Sequence, residues 1–417
     1  MKNQSPITKT ELESAVRQIV EATPVYDIHT HLYDPAFGGL LLWGVDELLT
    51  YHYLVAEVMR ADPIAYDAFW KLSKTEQADL VWQRLFLDRS PISEACRGVV
   101  TCLNALGFDV KKRDLGPIRK ELKRWTPERF VTRVMDVARV RRVVMTNNPF
   151  DNAERPVWLA GFQRDDRFQA ALRLDEILVF WDNNLGRLRE MGYDVQAEIN
   201  DKTASEVRRF LADWTRRMNA LYCAVSLSPE FDFPDDSTQA RLIERCVLPH
   251  CREHGLPFAL MIGVTRQINP ALRLAGDGLV KPASLWPIVS LCAEYPENKF
   301  MVTLLGRENQ HALCVTARKF RNLHIFGCWW FLNNPVLIEE MTRMRLEMLG
   351  LSVTPQHSDC RVLDQLIYKW DHFRRILTRV LADKYHDLLV AGWKLTRAEI
   401  ERDVKLLLGG AFENFVK

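Results

Sequence analysis

The sequence predicts an α/β protein, a distorted (β/α)8 barrel, on three observations. Eight short runs with almost continuously apolar interiors recur along the chain, at 25–31, 143–146, 168–173, 222–227, 258–263, 300–305, 323–330 and 353–359. Such interiors suit parallel strands buried on both faces, and helical patterns separate most of them. The polar residues with ligating chemistry sit at the C-terminal ends of the first and last runs, where a barrel of this kind keeps its active site. Alternating strands and helices argue for α/β, and a count of eight favours a closed barrel over an open sheet.

The elements follow in order. A helix is expected over about 9–22, closed by Pro24 ahead of the first strand. No second strand is expected before 143, and the interval 33–141 carries apolar residues at helical spacing over 46–60, 74–86, 92–106 and 127–138. That interval reads as a large helical insertion after strand 1, lying over the barrel mouth within a single domain spanning 1–417. After the last strand, 362–416 reads as helical. Gly276-Asp277-Gly278 lacks the strand–glycine–helix setting of a dinucleotide fingerprint.

Composition excludes several function classes. The 56 basic residues against 54 acidic leave a net +2 with no long block of one sign, so neither a nucleic-acid nor a membrane footprint is present. The polar stretch 1–5 runs into an amphipathic helix and reads as no signal peptide. The apolar run Leu40-Leu41-Leu42-Trp43 is far too short to span a bilayer. Nine cysteines without paired spacing suggest reduced thiols and a cytoplasmic location. A homo-oligomer stays open.

Val25-Tyr26-Asp27-Ile28-His29-Thr30-His31 is the motif at the centre of the chain. Side chains two apart on a strand share a face, so His29 and His31 should point one way, with Asp27 one step below. Two imidazoles at that spacing reach one divalent cation, and zinc suits nitrogen donors. The last run ends Gln356-His357-Ser358-Asp359-Cys360-Arg361, placing the Asp359 carboxylate across the mouth from both histidines. Two histidines and an aspartate with open positions make a catalytic rather than a structural metal centre. Each residue also has a plainer reading. Asp359 could cap the following helix, and Arg173 could pair with Asp175 or Asp151. If strand alternation holds, one of Trp329 and Trp330 faces the helical layer.

These motifs, in this order, resemble the uronate isomerase (glucuronate isomerase) family of the amidohydrolase superfamily, in its shorter, divergent branch. The resemblance runs nearly end to end. It covers V-Y-D-I-H-T-H, L-L-T-Y-H-Y-L-V-A-E-V-M-R (48–60), V-V-M-T-N-N-P-F-D (143–151) and A-L-R-L-D (171–175). It continues through G-C-W-W-F (327–331), H-S-D-C-R (357–361) and the segment around His372-Phe373-Arg374-Arg375. It implies one divalent metal on His29, His31 and Asp359, with His52-Tyr53 as the active-site histidine–tyrosine pair and Arg173 and Arg361 as the active-site arginines. Trp329 and Trp330 join them as candidate substrate contacts. Two departures stand out: Met261-Ile262-Gly263 replaces the family's His-Ile-Gly or His-Leu-Gly, and the usual T-D-S-R is replaced by H-S-D-C-R. The first puts a second metal in doubt.

The implied reaction is the interconversion of an aldohexuronate and its ketohexuronate, glucuronate with fructuronate, galacturonate with tagaturonate, or both. It needs a base and an acid that exchange a proton between neighbouring carbons, and positive charge on the developing oxyanion. Tyr53 and Asp359 are the candidate pair, and the arginine forks suit a carboxylate. The rival is a mononuclear metal-dependent amidohydrolase or lactonase. Two-metal hydrolases carry ligands on strands 4 to 6, whereas these runs end in Ser226-Leu227, Met261 and Leu304-Leu305.

Overall fold

The computed structural model describes residues 6–417, so the polar stretch 1–5 lies outside the described residues. Seven parallel strands form one sheet in the order of the chain: β1 (Val25–Thr30), β2 (Val140–Asn147), β3 (Phe168–Arg173), β4 (Cys223–Leu227), β5 (Phe258–Ile262), β6 (Phe300–Leu304) and β7 (Leu323–Ile325). Every residue of β4, β5 and β6 is buried, which is why these strands read as unbroken apolar runs. The expected eighth strand forms no regular ladder. Its segment still bridges the ends of the sheet: Thr354 N donates to Ile325 O at 3.1 Å, and His31 N donates to Cys360 O at 2.8 Å. Pro355 has no N–H to offer, and Asp359 is left-handed at φ 56°, so a regular run cannot persist there.

The sheet encloses one apolar cluster, including Tyr26, Ala171, Tyr222, Ala259, Met301 and Phe326, while a larger core lies between strands and helices. Phe412, from the C-terminal helix Ala411–Val416, packs edge-on to Tyr26 at 5.5 Å and to Tyr222 at 6.1 Å, plugging the end away from the histidines. Gly409, at φ 122°, allows that approach: a Cβ there would stand 2.6 Å from Tyr26 Cβ.

Between β1 and β2 the regular structure is all helical, as expected, but more finely divided. Two short helices, Tyr66–Lys71 and Leu115–Leu122, join the expected ones, and the expected helix over 46–60 breaks at Thr50–Tyr51. Tyr51 is extended (φ −59°, ψ 139°) and starts a new helix, His52–Ala61, which puts His52 at a helix start. The long helix Gln365–Val390 packs on the helices Lys9–Ala22, Glu94–Ala105 and Pro127–Ala138. All nine cysteines are buried and unpaired. Among the described residues, no helix is long and apolar enough to cross a membrane.

One buried group at the plugged end makes stability depend on pH. His324 donates or accepts at Thr354 Oγ1 (2.8 Å), stacks on Phe415 at 5.0 Å, and is pushed down to about 4 by burial and then by Arg345. Its folded value lies below the unfolded one, so its contribution is complete above about pH 6.5 and is lost as pH falls towards 4. His324→Gln is expected to flatten the acid side of the stability–pH curve by up to one proton, about 1.4 kcal/mol per pH unit. Urea titrations between pH 7 and 4.5 check this. Parallel curves for the two proteins would contradict it.

Candidate active site

The end of the sheet opposite Phe412 opens into a cavity of about 400 Å³, lined among others by His29, His31, His52, Arg173, Met261, Trp329, Trp330, Asp359 and Arg361. His29 comes from β1, His31 follows it, and Asp359 comes from the bridging segment. Their ligating atoms lie within 4.8 Å of one another. Asp359 Oδ1 is 3.7 Å from His29 Nε2 and 3.3 Å from His31 Nε2.

The second nitrogens fix both rings. Tyr222 Oη donates to Ile28 O (2.8 Å), so towards His29 Nδ1, 3.3 Å away, it can only accept. Thr146 Oγ1 likewise donates to Thr30 O (3.0 Å) and faces His31 Nδ1 at 3.1 Å. Each Nδ1 therefore carries the proton, and each Nε2 presents its lone pair to the space beside Asp359. Burial lowers both imidazoles, His31 to about 4, keeping them neutral. Burial works against the Asp359 charge, and Asp359 Oδ1 faces the two unprotonated Nε2 atoms with no donor between them. His29 Nε2 and Asp359 Oδ1 are buried without a hydrogen-bond partner. Two neutral imidazoles and a carboxylate, with unspent lone pairs converging, are the donor set a divalent cation needs, so the residues fit a metal. Among the described residues this is the one cluster with that geometry. Met261 occupies the cavity wall where the family's strand-5 histidine is expected.

Asp27 does not lie under the histidines. The β1–β2 register shifts between Asp27 and Thr30, and Asp27 turns instead to Trp370 Nε1 (2.9 Å) and Ser358 N (3.1 Å). The alternation argument also fails for Trp329 and Trp330, both of which line the cavity. β7 has ended at Ile325, and Gly327 (φ 65°) and Trp330 (φ 49°) break the strand geometry on which it depends. Trp330 stacks on Phe331 at 5.4 Å, and Phe331 on Tyr53 at 5.7 Å.

His52 lines the cavity with its Nδ1 unpartnered, and burial pushes it down to about 3. Tyr53 is absent from the lining: its ring sits against Phe331, Tyr51 and His52, and burial raises its phenol well above the ordinary value. The residues that sequence reasoning passed over are Tyr222 and Thr146, which orient the histidines, and Tyr33, Asn148, Glu176 and Arg266 on the walls. Thr146 and Asn148 lie inside the 143–151 motif and Tyr33 two residues beyond His31, which was the available signal.

The two arginines differ. Arg173 donates from Nε and Nη2 to Asp175 (3.1 and 2.6 Å) and from Nη2 to Ser226 (3.3 Å), so its fork is largely engaged. No carboxylate among the described residues pairs with Arg361, whose backbone N–H alone is bonded, to Gln365 Oε1 at 3.0 Å. Arg361→Met is therefore expected to lower kcat/KM roughly 10²-fold or more with little change in Tm, since two charge-assisted hydrogen bonds are lost. Arg173→Met should also destabilise, by about 1–3 kcal/mol, because the buried Asp175 carboxylate loses two hydrogen bonds and keeps only Arg266, 3.7 Å away. Equal Tm losses in both variants would contradict the distinction.

Comparison with known proteins decides the family. No family model matches the chain, and no curated relative matches it by sequence. Among solved structures, a uronate isomerase from Bacillus halodurans C-125 matches with a TM-score of 0.97 at 55% identity, over 99% of this chain and 97% of that one. The chain belongs to the uronate isomerase family. A uronate isomerase from Thermotoga maritima (TM-score 0.79, 14% identity, 100% and 99% covered) shares the fold. So does a glucuronate isomerase from Caulobacter crescentus (0.78, 15%, 99% and 97%). The uronate isomerase family thus brings its sequence motifs in this chain to one mouth, with Asp359, His29, His31, His52 and Arg361 on a common cavity.

Proposed function

We propose that the chain is an aldose–ketose isomerase that interconverts an aldohexuronate and its ketohexuronate, D-glucuronate/D-fructuronate, D-galacturonate/D-tagaturonate or both, through an enediol. The observation that carries the reading is the Asp359 carboxylate, converging with the Nε2 lone pairs of two tautomer-locked histidines and sharing its cavity with the unpaired Arg361. A divalent ion, zinc by donor type, would be held by His29 Nε2, His31 Nε2 and Asp359, and supplies charge to orient the sugar's carboxylate and a neighbouring hydroxyl.

The chain's own groups do the rest. Asp359 removes the C2 proton and returns it to C1, which a carboxylate ionised in the resting site can do. Neutral His52 donates its proton to the carbonyl oxygen O1 as the enediol forms and takes the O2 hydroxyl proton as the ketone forms, so the second proton passes from O2 to O1. Tyr53 backs that imidazole, so the acid partner expected of it passes to His52. Arg361 carries the negative charge that develops on oxygen, and Trp329 and Trp330 close the wall and exclude water. In this reading the sheet and its bridging segment form a distorted (β/α)8 barrel of the metal-dependent hydrolase type. Residues 33–141 are its mouth-covering insertion, and the enzyme works in the cytoplasm on a free sugar acid. The test is a panel of hexuronates assayed for ketose formation with the metal-loaded enzyme. Ketose from at least one of them is expected, and none from any would overturn the proposal.

A further inference from the structure

Glu154 begins the helix Glu154–Ala160 behind the cavity wall and is fully buried. None of its partners is a cation. Its two oxygens accept from Asn148 N (3.1 Å each), Trp158 Nε1 (3.0 Å) and Tyr33 Oη (3.1 Å). Burial pushes the carboxyl up, to about 6, while the N–H groups of Asn148 and Trp158, which can only donate, favour its ionised form. A buried carboxylate without a counter-charge is costly, and satisfying a tyrosine does not require one, since a backbone carbonyl would serve.

What a carboxylate does, and a neutral partner does not, is remove a choice. It can only accept, so the Tyr33 hydrogen must point to Glu154. Tyr33 lines the cavity, and its ring is held against Phe37 at 5.4 Å. With its hydrogen committed to Glu154, the phenol oxygen has only lone pairs left for a substrate. The neighbouring Asn148 is partly engaged: its Nδ2 is directed at Glu176 Oε1 (3.4 Å) and its Oδ1 accepts from Phe150 N (3.0 Å). Tyr33 is thus a fixed acceptor on the cavity lining, which also carries Asp151, Asp175 and Glu176.

We infer that Tyr33, fixed as an acceptor by Glu154 as its positioning residue, reads a hydroxyl in the middle of the sugar acid, at C3 or C4, and so sets which epimer is preferred. The inference rests on the hexuronate reading above. The two ends of such a substrate are already engaged, its carboxylate by positive charge and C1–C2 by Asp359, so only the middle hydroxyls remain to meet Tyr33. An epimer whose hydroxyl points elsewhere leaves the Tyr33 oxygen without a donor, and a buried group left unpaired is how a site built for a hydroxyl discriminates.

The test compares D-glucuronate, its C4 epimer D-galacturonate and its C3 epimer, in the metal-loaded wild type, Tyr33→Phe, Glu154→Gln and the double variant. Tyr33→Phe is expected to reduce the ratio of kcat/KM between preferred and disfavoured epimers roughly ten- to hundredfold, mainly through KM, as for a contact made equally in ground and transition states. Glu154→Gln should reduce the same ratio, because an amide can donate and frees the tyrosine hydrogen to turn. In the Tyr33→Phe background it should reduce it no further, a non-additivity that a merely structural glutamate would not show. If Glu154→Gln does not fold, Tyr33→Phe alone decides. Equal losses for all three epimers would overturn the inference while leaving the isomerase reading standing. A wild type that turns over no hexuronate overturns both.

Discussion

The double variant His29→Ala/His31→Ala is expected to lose its metal and its turnover together while keeping its fold. Two of the three ligating side chains go, leaving Asp359 alone, and a single carboxylate does not retain zinc against water. The neighbours are not stranded. Tyr222 keeps its bond to Ile28 O (2.8 Å) and Thr146 its bond to Thr30 O (3.0 Å), so no buried hydroxyl loses its acceptor. Elemental analysis should show about one metal per chain in the wild type and close to none in the variant, with turnover down roughly 10³-fold or more, the worth of several kcal/mol of charge stabilisation. Far-ultraviolet circular dichroism and a cooperative melt check the fold. Full metal content in the folded variant would remove these histidines from the ligand set.

Much of this architecture was legible in the sequence, for a physical reason. Strands buried on both faces have no solvent side to interrupt them, so β3 to β6 appear as apolar runs whose limits differ from the structural ones by a residue at most. Legibility fails where the backbone leaves the regular period. β7 shrinks to Leu323–Ile325 because Gly327 turns left-handed, and the segment after Ser352 stays irregular through Pro355 and Asp359. Helix breaks are hidden in the same way: the apolar spacing runs through Thr50–Tyr51 without a sign of the extended residue that restarts the helix at His52.

The site divides along the same line. His29, His31 and Asp359 were readable because they lie in or just after the first and last apolar runs, whose order along the chain follows from counting. Asp27 was misplaced because a register shift leaves no trace in residue type. The partners that set proton positions were invisible: Tyr222 stands 193 residues from His29, and Glu154 stands 121 from Tyr33. Contacts at that separation are products of the assembled sheet, and no local pattern records them.

Asp359→Asn is expected to stop proton transfer between C2 and C1, and it separates isomerase from hydrolase. The amide cannot take the proton, and it is a poorer metal ligand, so the loss should be at least the 10²–10⁴-fold typical of one acid–base group. In wild type, substrate deuterated at C2 must deliver its label to C1 of the ketose or to solvent, with a primary isotope effect where this step limits the rate. In deuterated water, unlabelled substrate gains deuterium at C1 to the extent that Asp359 exchanges before it returns the proton. A sheltered carboxylate exchanges little, so low solvent incorporation together with C1 retention of the substrate label still reports transfer by one base. The variant should show neither path, with the C2 label left in place and no ketose formed. A wild type that also keeps its C2 label and makes no ketose, yet releases acid from an amide, ester or lactone, would make Asp359 a base for water instead. The absence of further ligands at Ser226, Met261 and Leu305 would then mark a mononuclear hydrolase.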